Sequence, residues 1–126
     1  MLSLYYNGVS MQIPPEIISL TTRLNQELNL VEQEAIAGLD LVRAILKRFP
    51  DNATLIQFFA YLNSIMLLVD TDRKRIQNII ENLAAVDVGT DDEIAMTGEV
   101  LATELGRVIE AKIAVNEIKT RLENLQ

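Results

Sequence analysis

The side chains that could do chemistry in this chain of 126 residues are carboxylates and cations: 18 Asp and Glu against 11 Lys and Arg, with no Cys and no His. Without a thiol there is no cysteine nucleophile, disulfide or thiolate metal ligand. Without an imidazole, no side chain with an ordinary pKa shuttles protons near neutral pH. Carboxylates could still bind a metal or act as an acid–base pair, so their spacing decides. Asp87, Asp91, Asp92 and Glu93 crowd one turn, but the run DVGTDDE lacks the ligand spacing of a calcium loop. Glu27, Glu32, Glu34, Glu81, Glu99, Glu104 and Glu110 fall in helical stretches, yet a carboxylate-bridged di-iron site needs Glu-x-x-His motifs. A glycosidase pair would need a polar cleft lined by aromatics; Trp is absent and the few aromatics fall on apolar stripes. The chain is therefore expected not to be an enzyme, with no catalytic residue, metal site or cofactor. Its net charge of −7 opposes the phosphate neutralisation on which nucleic-acid binding depends.

One dense charged run remains, Asp70-Thr71-Asp72-Arg73-Lys74-Arg75. A basic triplet flanked by two acids makes a poor phosphate site. What it does depends on what stands opposite it, and hence on the elements that carry it.

Those elements are set by a few breakers, since the chain has only five Gly and three Pro. Asn7-Gly8, Pro14-Pro15, Pro50-Asp51-Asn52 and Gly89-Thr90-Asp91 divide it into residues 1–13, 15–49, 52–87 and 90–126. The first segment reads as a β-hairpin. Folding about Asn7-Gly8 sets Tyr6 against Val9, Leu4 against Met11 and Leu2 against Ile13 on one apolar face. The second begins with Pro15 and Glu16 and carries Leu20, Leu24, Leu28, Val31, Ala35, Leu39, Val42, Leu46 and Phe49 at helical spacing, until Pro50 forbids continuation. The third, capped by Asp51 or Asn52, runs Leu55, Phe59, Leu62, Met66, Val69, then Ile76, Ile80 and Leu83, with Arg73 breaking the stripe. The fourth opens with a capping-box pattern, Thr90 to Glu93, and carries Leu101, Leu105, Val108, Ala111, Val115, Ile118, Leu122 and Leu125. Each helix should be about 50 Å long at 1.5 Å per residue. Short connections between equal helices predict an antiparallel bundle.

In that bundle, a turn near residues 50–51 puts Arg73 to Arg75 level with Gln26 to Leu28, within reach of Glu27. A turn near residue 89 puts Asp70 level with Arg107, and Arg73 or Lys74 with Glu104. The spacing thus predicts a mid-bundle ionic layer of Glu27, Asp70, Arg73, Glu104 and Arg107 that fixes register.

The stretch from Ala53 to Val69 has no charge. At this length, and with Thr54, Gln57, Asn63 and Ser64 inside it, no membrane span is expected. Phe58, Tyr61, Ile65 and Leu68 form a second apolar stripe beside the first, more than a three-helix bundle can cover. A homodimer would hide it, with Phe58, Tyr61, Ile65 and Leu68 at the interface and the hairpin face of Leu4, Tyr6, Val9 and Met11 packing within the chain or across the dimer. Gly98, Ala102 and Gly106, four residues apart, form a smooth strip on the last helix.

The sequence thus predicts one mainly α domain over residues 1–126: an N-terminal β-hairpin followed by an antiparallel bundle of three long helices, dimeric and cytoplasmic, with no signal-peptide pattern at its start. Its expected function is that of a non-enzymatic scaffold or interaction protein, self-associating or holding a further protein partner through apolar faces. The alternative is a bundle that binds an apolar small molecule near Phe58, Tyr61 and Met66. A weaker alternative rests on architecture: the long antiparallel helices are similar to the spacers of multi-subunit DNA-processing complexes such as the specificity subunits of type I restriction enzymes, although no target-recognition domain is present.

Overall fold

A computed structural model describes the backbone of residues 4–6, 9–11, 13–85 and 90–125, and side chains over 13–83 and 90–125. Three long helices make the fold: α1 (Pro15–Arg48), α2 (Ala53–Ala85) and α3 (Asp91–Asn124). Their ends follow from local chemistry. Pro15 opens α1 with Glu16 in the first turn, and Lys47 and Arg48 sit in the last, where cations suit the negative end of the helix dipole. Asn52 accepts the Leu55 N–H through its side chain at 3.0 Å, relieving an unpaired donor at the start of α2. Thr90 and Glu93 form a reciprocal capping box at the start of α3.

Consecutive helices run antiparallel, so α1 and α3 are parallel. α1 is the central element: it packs along both neighbours, whereas α2 and α3 touch each other only slightly. The core lies along α1, where Leu24, Leu28, Val31 and Val42 meet Leu62 and Val69 of α2 and Leu101, Val108 and Val115 of α3. Gly38 lets the Leu62 side chain of α2 pack close on the α1 backbone, since a Cβ there would stand 3.0 Å from Cδ1 of Leu62. The buried stripe of α1 is rotated slightly from the expected one. Ile17, Thr21 and Ile45 are buried, Leu20 and Leu46 are only half-buried, and Phe49 is exposed. α1 has neighbours on two sides, so its buried arc is wider than a single stripe.

At the N-terminus the backbone of β1 (Leu4–Tyr6) runs antiparallel to β2 (Val9–Met11), with Leu4 opposite Met11 and Tyr6 opposite Val9. Three residues on each side do not make an independently stable ribbon. The side chains of Leu4, Tyr6, Val9 and Met11, and the Asn7-Gly8 turn, lie outside the described residues, so the architecture established here is the helical bundle alone. Ile13 is buried in the core just before α1.

By length and apolarity alone, the stretch Ala53–Leu83 of α2 could cross a membrane: its mean hydropathy reaches 1.5 and only 22% of the most apolar window is buried. The same stretch also contains Asp70, Asp72, Arg73, Lys74 and Arg75.

Candidate functional site

The bundle does not gather one five-residue ionic layer; it distributes the charges over separate clusters. Glu27, expected opposite Arg73, is buried on α1 and held instead by Lys112 of α3. Arg73 reaches Glu32 of α1 with both terminal nitrogens, at 2.8 and 2.9 Å, and donates to Asn29 at 2.6 Å. This forked contact holds the Glu32 carboxyl below the usual carboxylate range, chiefly through its hydrogen bonds. Asp70 lies on the surface and pairs with Lys74 one turn on, at 3.1 Å, not with Arg107. The axial levels estimated from the turns were close; the rotation of each helix was not available from spacing, and it decides which side chains meet.

Glu104 and Arg107 do lie in one cluster, with two residues the expected layer omitted. Glu104 is 4% exposed, and its Oε2 accepts from Arg107 at 3.1 Å and from Arg75 of α2 at 3.4 Å. On α2, one turn before Arg75, the carboxyl of Asp72 is 1% exposed and is influenced by Glu104. Asp72 Oδ2 and Glu104 Oε1 are both buried without a donor among the described residues. Burial pushes the Asp72 carboxyl up to about 6, helped by the hydrogen bond and negative charge of Glu104 and opposed by Arg75 and Arg107. With its carboxyl raised, Asp72 is the member of the pair that keeps a proton toward neutral pH, and its O–H can then donate to Glu104. A signal for Asp72 exists in the sequence. It stands between Val69 and Ile76 at helical spacing, so it is the acidic member of the buried stripe, a place the periodicity reading gave to Arg73.

The shallow contact between α2 and α3 leaves a groove next to this pair. It is lined by Ile79 and Leu83 from α2 and Met96, Thr97 and Val100 from α3, and encloses about 400 Å³ on its open side. A continuation of about 340 Å³ is lined by Arg75, Glu99, Thr103, Glu104 and Arg107. Of the residues expected to line an apolar pocket, Phe58 and Met66 are partly buried against the core and Tyr61 is exposed. Among the expected interface residues, Ile65 is a core residue, Phe58 and Leu68 are half-buried, and Tyr61 is exposed. Ile65 lies beside Leu62 and Val69 on the buried face, a stripe that serves α1 rather than a second chain. The most exposed apolar side chains are Leu67 at 70%, Met96 at 65% and Ile113 at 59%. Among the described residues no group of three or more acidic side chains is placed to hold a metal ion.

Fold and site define a three-helix bundle with a buried carboxyl pair and a partly open seam. No protein-family model, curated protein or solved structure matches the chain.

Proposed function

We propose that this protein is a non-enzymatic helical scaffold that self-associates as a homodimer through the apolar surface its own bundle leaves open. The observation that supports this reading is the distribution of exposed apolar side chains: Ile56, Tyr61 and Leu67 on α2, and Met96, Val100 and Ile113 on α3. Because α2 and α3 scarcely meet, neither covers the other's outer face. A symmetric copy is the commonest solution to an uncovered patch of this kind. The N-terminal hairpin belongs to the same proposal, as a second contact either within the chain or between chains. The absence of a membrane span and a cytoplasmic location are likewise part of it: the charges from Asp70 to Arg75 would be costly at the centre of a bilayer.

Sedimentation equilibrium at micromolar concentration tests the reading. A dimer that Leu67→Asp converts to a folded monomer supports it, and a wild-type protein that is strictly monomeric overturns it. Leu67 serves better than Phe58, whose ring packs partly against the core.

A second reading, a binder of apolar small molecules, is favoured by the groove between Ile79, Leu83, Met96 and Val100, which is apolar and of ligand size. Quenching or enhancement of an environment-sensitive apolar dye, abolished by Met96→Asp, would select it.

A further inference from the structure

α2 and α3 follow one another in the chain yet meet along little of their length. Among the described residues, the polar groups joining them cluster at one level: Asp72 and Arg75 from α2, Glu104 and Arg107 from α3. Within the cluster, Glu104 Oε2 has two guanidinium donors, while Glu104 Oε1 and Asp72 Oδ2 have none. Asp72 stands three residues before Arg75 on α2, and Arg75 reaches Glu104, so both buried oxygens lie at this seam, where a proton on Asp72 donated to Glu104 supplies the missing donor. We infer that Asp72 and Glu104 are a proton-operated latch: sharing a proton they draw α2 onto α3, and on losing it they loosen the seam and widen the groove at Ile79, Leu83, Met96 and Val100.

The charges acting on Asp72 are Glu104, Arg75 and Arg107. α1, packed against both helices, presents Glu27 and Glu32, and each is already engaged, by Lys112 and Arg73. Arg75 and Arg107 are about half exposed, so water weakens their ability to offset a second buried negative charge. The raised Asp72 carboxyl, at about 6, sets the transition between mildly acidic and neutral conditions. The chain has no histidine, so no imidazole contributes to a transition in that range. The latch acts within one chain and does not depend on self-association.

The absence of cysteine makes the test direct. Asn82→Cys and Ala95→Cys place spin labels on exposed positions of α2 and α3 flanking the groove. With an excess of unlabelled protein to suppress distances between copies, the separation is measured by pulsed electron resonance from about pH 5 to about pH 8. The expected result is a lengthening with its midpoint near pH 6, absent in Asp72→Asn, whose amide can donate to Glu104 at every pH. A separation that is constant in the wild-type background, or a transition that survives in Asp72→Asn, overturns the inference. Carbon-detected NMR titration of the wild-type carboxyls needs no substitution. An Asp72 midpoint near the ordinary 3.8 would overturn it as well.

Discussion

Glu27 of α1 and Lys112 of α3 form an ion pair across 85 positions of sequence, and Glu34 and Lys119 repeat the pairing across the same 85. The constant offset is the signature of parallel helices in register, and the two pairs stand one heptad apart, on the same face. Together they align α1 with α3, as Arg73 with Glu32 aligns α1 with α2.

The two pairs differ in burial, and their removal should differ accordingly. Lys112→Ala leaves the carboxylate of Glu27 buried without its partner and should cost about 1–3 kcal/mol. Lys119→Ala, in a more accessible pair, should have little effect. Urea denaturation of the two variants checks the order, and equal losses would contradict it.

Stability should also depend on pH through Asp72. Its carboxyl is raised from 3.8 to about 6, so the folded state holds a proton that the unfolded chain releases earlier. That contribution is complete below about pH 4 and is lost as pH rises to about 6, with an upper limit of ~3 kcal/mol. Asp72→Asn should therefore be more stable than the wild type at pH 7 and should lose that advantage in acid. Glu32 acts in the opposite direction: its lowered carboxyl contributes stability above the ordinary range that is lost as pH falls. Denaturation midpoints measured across this range separate the two, because only the Asp72 contribution disappears in Asp72→Asn.

Two helical glycines should respond with opposite signs to the same substitution. At Gly106 a Cβ would meet no described atom within 4 Å, so Gly106→Ala should gain about 0.5–1 kcal/mol from helix propensity. At Gly38 the Cβ would stand 3.0 Å from Cδ1 of fully buried Leu62, so Leu62 must shift within the core, and Gly38→Ala should lower the thermal midpoint.

Leu67 and Leu62 lie on the same helix, one exposed and the other fully buried. Leu67→Asp should change folding stability by less than about 0.5 kcal/mol while weakening self-association, whereas Leu62→Ala should cost about 2–5 kcal/mol. Chemical denaturation combined with sedimentation distinguishes an assembly residue from a core residue.

The helices and their ends were legible in the sequence because they depend on near neighbours. Pro50 stops α1 wherever α1 lies, Asn52 caps a residue three positions on, and Thr90 and Glu93 satisfy each other's turn. The heptad-like stripe of α3 likewise reads correctly from Leu101 to Val115, since a single packing face imposes a single period.

What the tertiary structure alone decided is which helix stands between the others and how each is rotated about its axis. Spacing gives the level of Arg73 but not its direction, so its partner became Glu32 rather than Glu27, and Asp70 was left on the surface. The central place of α1 brought Lys112 to Glu27 and left α2 and α3 little contact beyond the level of Asp72, Arg75 and Glu104. A rotation of one residue, 100° on a helix, exchanges buried Asp72 for half-buried Arg73 without altering the hydrophobic count. That choice is made by the summed packing of three long surfaces and cannot be read from any one of them.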